Sequence, residues 1–134
     1  MKYCQGPDPE TKTPNFTAPP KACDAHCHVF GPDAKFPFAE GRSYTPPNSP
    51  FEAMQVLQRK LGIERAVIVQ ATCHGTDNTG ALDAIARSED RYKGVAIVDN
   101  SFTDDDFKRL DEGGMRGIRF SFARHIGNAP DFAM

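Results

Sequence analysis

Residues 66–98 read A-V-I-V-Q-A-T-C-H-G-T-D-N-T-G-A-L-D-A-I-A-R-S-E-D-R-Y-K-G-V-A-I-V. They contain one complete strand–helix–strand unit. Ala66-Val67-Ile68-Val69 is a short run rich in β-branched residues, the pattern of a buried strand. A polar loop, Ala71 to Asn78, follows. Leu82, Ile85 and Ala86 then recur at helical spacing on one face. Gly94-Val95-Ala96-Ile97-Val98 is a second buried strand. Strands joined through a helix lie parallel.

The same alternation extends outward. Downstream, Thr103-Asp104-Asp105-Asp106 places a cap and acids at a helix start, where they complement the dipole. Phe107 and Leu110 are expected to face inward, Gly113-Gly114 to end that helix, and Arg116 to Phe122 to form a strand. Upstream, Ser49-Pro50-Phe51-Glu52 predicts a helix start, with Ser49 as cap, Pro50 at the first helical position and Glu52 closing a capping box. Gly62 is the expected stop, with Ile63 able to pack back on the last turn. Lys21 to Phe30 reads as the first strand. Its period-2 alternation assigns Cys23, Ala25, Cys27 and Val29 to one face and Asp24, His26 and His28 to the other.

Ten of the 11 prolines fall within residues 1–50, and none lies between 51 and 129. Residues 1–20 are therefore expected to be an extended arm without a core of its own, and residues 21–134 the domain. Hydrophobic residues make up 39% of the 134, enough for a packed core. With 16 Lys+Arg against 18 Asp+Glu there is no footprint of a nucleic-acid or anionic-membrane binder. No apolar stretch could span a bilayer, and the N-terminus lacks the apolar region of a signal peptide, so a cytoplasmic protein is expected. None of the four cysteines forms a C-x-x-C pair, so reduced thiols are expected rather than a Cys-rich zinc site.

Strand, helix, strand, helix, strand, helix, strand fits an open doubly wound sheet or the first half of a (β/α)₈ barrel. No G-x-G-x-x-G or phosphate-loop motif follows any strand. The sharpest chemical feature is D-A-H-C-H, Asp24 to His28. Residues two apart on a strand share a side, so His26 and His28 could grip one metal ion or hydrogen-bond one substrate, at the edge where α/β proteins place ligands. They could equally be two unrelated polar residues. On the last strand, alternation sets Gly117, Arg119 and Ser121 against Ile118, Phe120 and Phe122. A guanidinium inside a barrel needs an anion, either a substrate carboxylate or an interior acid such as Asp24.

D-A-H-C-H-V-F-G-P, Q-A-T-C-H-G-T-D-N and G-G-M-R-G-I-R-F, in that order, resemble the amidohydrolase-related TIM-barrel hydrolases, the 2-pyrone-4,6-dicarboxylate lactonase group above all. The resemblance covers about residues 22–122. It implies a (β/α)₈ barrel that opens a small anionic, carboxylated lactone by water attack. Most of the superfamily binds a divalent metal, zinc or manganese, through the paired histidines. The lactonase group implies metal-free hydrolysis instead, with His26 and His28 at the reaction centre. Tyr44, Thr72, His74 and Arg119 then match substrate contacts. On residues alone, His74 could organise its loop through Asp77 and Asn78, and Tyr44 could pack under the Pro-rich loop.

Two features depart from that pattern. Where the group carries an arginine after the fourth strand, His125 stands here, beside Arg124; a mostly neutral imidazole cannot form the same fork. A (β/α)₈ barrel needs about 250 residues. The chain therefore reads as an α/β N-terminal half-barrel of about four parallel strands, a truncated product or a partial sequence. The eighth-strand aspartate that would activate water lies outside it, so the 134 residues by themselves are expected to be inactive and to self-associate through open sheet edges. A metal-dependent decarboxylase of the same superfamily and a non-catalytic half-barrel are the alternatives.

Overall fold

A computed structural model describes residues 2–120. Four strands, β2 (Cys23–Cys27), β4 (Arg65–Val69), β5 (Tyr92–Ile97) and β6 (Met115–Arg119), form one all-parallel sheet in the order β2-β4-β5-β6. Helices α1 (Phe51–Leu61), α2 (Thr79–Ala86) and α3 (Asp104–Glu112) connect successive strands. The expected order of elements is therefore the observed one. Ser121 and Phe122, predicted for the last strand, lie outside the described residues, as do Arg124 and His125.

The core lies between the sheet and the helices. Ala66, Ile68, Tyr92, Ala96 and Met115 from the strands pack with Phe51, Ala81, Ala84, Ile85 and Leu110 from the helices. Burial alternates along β5: Tyr92, Gly94 and Ala96 are buried, and Lys93, Val95 and Ile97 half-buried. The helix-facing side is closed and the other side open, as in part of a barrel wall. Met115 and Ile85 close over Gly94, so a Cβ there would force their side-chain ends to shift.

Several local expectations are corrected. Ser49 does not cap α1. Its backbone exchanges hydrogen bonds with Phe30 (Ser49 N–H to Phe30 O, 2.7 Å; Phe30 N–H to Ser49 O, 2.9 Å). The helix accordingly begins after Pro50 with no side-chain cap, and Glu52 pairs with Arg87. Ala86 is exposed; the buried stripe of α2 is Ala81, Ala84 and Ile85. Phe107 is 38% exposed, leaving Leu110 to anchor α3. As expected, Gly62 closes α1 at φ 71°, with the Ile63 N–H bonded to Gln58 O, and Thr103 caps α3; Asp106 completes a reciprocal capping box that was not anticipated.

The N-terminal segment carries β1 (Lys2–Tyr3), paired in parallel with β3 (Tyr44–Thr45) in a small second sheet. Cys4 N–H continues that contact to Thr45 O at 3.0 Å. Hydrophobic periodicity could not foresee a pairing of two residues with two.

Candidate active site

The C-terminal ends of β2, β4, β5 and β6 form one rim, and the six candidate residues lie along it or in the loops above it. The first is shaped by a β-bulge. Asp24 pairs with Ala66 and Cys27 with Ile68, so β2 spends three residues where β4 spends two. Asp24 and Cys27 thereby share the helix-facing side of Ala66 and Ile68, which corrects the strict alternation that grouped Asp24 with the histidines. Asp24 accepts the backbone N–H of His26 at 3.1 Å. Among the described residues no ion pair joins Asp24 to Arg119.

His26 and His28 do come together, edge to face, with ring centroids 5.1 Å apart. His28 Nδ1 lies 2.7 Å from Val69 O. A carbonyl only accepts, so Nδ1 carries the hydrogen and a neutral ring leaves its lone pair on Nε2. Burial, with His26 and Arg119 nearby, holds the His28 pKa below the usual imidazole value despite that bond. The Cys27 thiol, pushed up to about 12 chiefly by burial, is no nucleophile.

His74 sits in a one-turn helix at Thr72–His74, and its Nδ1 donates to Pro37 O at 3.1 Å. Phe38 lies 4.7 Å from its ring and Phe30 6.3 Å, nearly parallel. His74 is thus held by the loop before β3. The Asp77 N–H does bond the His74 carbonyl at 3.2 Å, but the side chains act elsewhere: the Asp77 carboxylate accepts the Thr79 N–H, and Asn78 clamps the Ile97 N–H (3.0 Å) and carbonyl (2.8 Å). Thr72 Oγ1 reaches Tyr44 Oη at 3.5 Å, the limit of a hydrogen bond. Arg119 Nη1 donates to Gln70 O at 3.2 Å, and among the described residues no other acceptor takes its remaining N–H groups.

Thr72, His74 and Arg119 line one cavity of about 450 Å³, walled by Phe38, Ile97 and Asp77. His26 and Tyr44 are not among its lining residues. His28 instead borders a second cavity, of about 690 Å³, between the outer edge of β2 and α1. Among the described residues no group of three or more His, Cys, Asp and Glu is arranged to hold a metal. With Asp24 on the far face, these residues offer a metal two imidazoles, short of the three protein ligands a catalytic zinc takes.

Two contributors escaped the sequence reading. Gln70 is 3% exposed and bonds into the rim loop. Arg42 donates to Thr45 Oγ1 and Ala39 O, both at 2.9 Å, and stacks on Phe38, so it secures the loop that carries Tyr44. A polar residue ending an apolar strand was the one signal for Gln70; Arg42 had none.

Residues 23–133 match the family model described as amidohydrolase. The chain is 45% identical over 113 residues to a 2-pyrone-4,6-dicarboxylate hydrolase of Comamonas testosteroni, covering 84% of this chain and 37% of that protein. It is 44% identical over 125 residues to a 4-sulfomuconolactone hydrolase of Rhizobium radiobacter, covering 93% and 42%. A solved structure of a probable 2-pyrone-4,6-dicarboxylic acid hydrolase from Acinetobacter baumannii, with citric acid bound, superposes with a TM-score of 0.68 at 28% identity, over 75% of this chain and 37% of that one. The chain thus spans about two fifths of the length of the curated relatives it matches.

Proposed function

The chain belongs to the amidohydrolase family, and from that premise we propose that it supplies the first strands of a hydrolase that opens a small carboxylated lactone by water attack. The observation that carries this reading is the cavity shared by Arg119, His74 and Thr72 at the C-terminal rim. That is the face on which barrels of this kind place chemistry. The names of the relatives point to the same substrate class.

In this mechanism the free edge of the Arg119 guanidinium takes a substrate carboxylate. Thr72 and Tyr44 hold the ring from the loop side. His74 presents an Nε2 lone pair within the Arg119 cavity, and His28, held at Val69 O outside its lining, presents a second where the substrate extends toward β2; each accepts a hydrogen bond from water or substrate. Water adds to the lactone carbonyl and the ring C–O bond breaks. The products are a carboxylate, a hydroxyl and one proton released to solvent. The resemblance to the lactonase group implies an eighth-strand aspartate as the base that takes the water proton. The proposal is metal-free, in keeping with the resemblance to the lactonase group.

The test uses the complete gene product carrying residues 1–134. Loss of 2-pyrone-4,6-dicarboxylate absorbance should persist after exhaustive chelation, and a pyrone lacking both carboxylates should react far more slowly. Activity abolished by chelation and restored by zinc or manganese would overturn metal-free hydrolysis. Absence of turnover on any carboxylated lactone would overturn the reaction class.

A further inference from the structure

We propose that Gln70 is the positioning residue that sets the anion-binding geometry of this rim, holding the loop at 70–78 closed with its side chain and Arg119 in place with its main chain. This deepens the lactone-hydrolase reading above and rests on it.

Gln70 is the first residue beyond β4, and its side chain is buried where apolar neighbours end. A buried amide is costly unless its donors are used. Here both hydrogens of Nε2 are directed into the loop, to Asp77 O at 2.7 Å and Gly75 O at 3.3 Å. Those two carbonyls flank the far side of a loop that starts at Gln70 itself. The amide therefore ties the loop back on its own origin and holds Thr72 and His74 inside the turn. Gly75, Thr76 and Asp77, the segment it holds, line the same cavity as Arg119.

Its main chain does a different job. The Gln70 N–H donates to Val95 O at 2.8 Å, extending the β4–β5 ladder one step past Val69. That bond holds the Gln70 peptide in the sheet. The Gln70 carbonyl then accepts from Arg119 Nη1, two strands away. One residue thus joins the loop bearing two candidate substrate contacts to the guanidinium that takes the carboxylate. Either connection alone would be a packing detail. Together they make loop closure and guanidinium orientation depend on one backbone position. A displacement of about 1 Å in such groups can cost about a hundredfold in rate or binding.

Gln70→Met and Gln70→Glu, made in the complete gene product carrying residues 1–134, test this. Met matches the length and removes both donors. Its KM for 2-pyrone-4,6-dicarboxylate should rise about tenfold or more while kcat changes less, the signature of lost substrate binding. Glu sets a carboxylate against the carbonyls of Gly75 and Asp77 and offers Arg119 a competing anion. Its KM should fall back toward the wild-type value as pH is lowered, because the protonated acid regains one donor. Unchanged KM in both folded variants overturns the proposal, as does failure of both to fold, which would make Gln70 purely structural. The Arg119 Nε–H and His74 ring resonances decide it independently of turnover. They should shift in Gln70→Met, and unmoved resonances overturn the proposal. Wild-type protein inert on lactones would instead overturn the proposed reaction and leave this NMR result standing.

Discussion

Arg119 and His28 show how far single side chains were readable. Alternation on β6 assigned Arg119 to the open side, and its register partner Ile97 lies on that side of β5. The acid proposed to neutralise it was wrong, because the bulge in β2 carries Asp24 to the opposite face. Among the described residues no acid pairs with Arg119, and under the proposed function a substrate carboxylate takes that role. In the complete protein Arg119→Ala should lose roughly 2–5 kcal/mol of substrate or transition-state stabilisation, the cost of breaking a desolvated charge pair. Arg119→Lys should recover little, since an ammonium cannot reproduce the fork. Measured kcat/KM decides, and unchanged kinetics in a folded variant would remove Arg119 from the site. His28 yields a pH prediction. Burial lowers its folded pKa below the usual value of 6.5. The unfolded chain therefore binds the proton more readily, and stability falls as pH drops below about 6.5 until the folded pKa is passed. Above 6.5 His28 costs nothing. Denaturant melts of wild type and His28→Asn should converge as pH falls from 7 to 5; parallel curves would contradict this.

At the scale of elements, two helix starts with similar sequence signals differ in outcome. Ser49-Pro50-Phe51-Glu52 reads as a capping box and Thr103-Asp104-Asp105-Asp106 as a cap followed by acids. Only the second caps its helix, with Thr103 Oγ1 accepting the Asp106 N–H at 3.3 Å and Asp106 accepting the Thr103 N–H at 2.8 Å. The backbone of Ser49 is already committed to Phe30, and tertiary pairing overrides the local signal. Thr103→Ala should destabilise by about 1 kcal/mol, whereas Ser49→Ala should stay within about half that. Equal losses in urea melts would show that Ser49 caps α1 in solution.

For the whole molecule, the decisive features are its edges. Among the described residues β2 pairs only with β4 and β6 only with β5. Ile118 is 45% exposed on the helix-facing side of β6, and Val56 is 60% exposed on α1. The buried Gln58 Nε2, with no partner among the described residues, borders the cavity at the outer edge of β2. A polypeptide of residues 1–134 alone should therefore self-associate in sizing chromatography, and Ile118→Lys should reduce it. A monodisperse 14.7 kDa species with cooperative unfolding would contradict this.

The order of elements, the parallel sheet and the pairing of His26 with His28 followed from the sequence, because hydrophobic period and glycine stops act locally and recur over many residues. The placing of Arg119 on the open face followed from alternation, while Thr72 and His74 were implied only by the family resemblance; the structure brings all three to one cavity. Tertiary structure alone decided the face of Asp24, the uncapped start of α1, the β1–β3 contact, and the roles of Gln70 and Arg42. Each depends on a partner many residues away, whether a bulge register, a bridge to Phe30 or a carbonyl across a loop. No local pattern encodes such a partner, because the interaction exists only once the sheet has brought the two together.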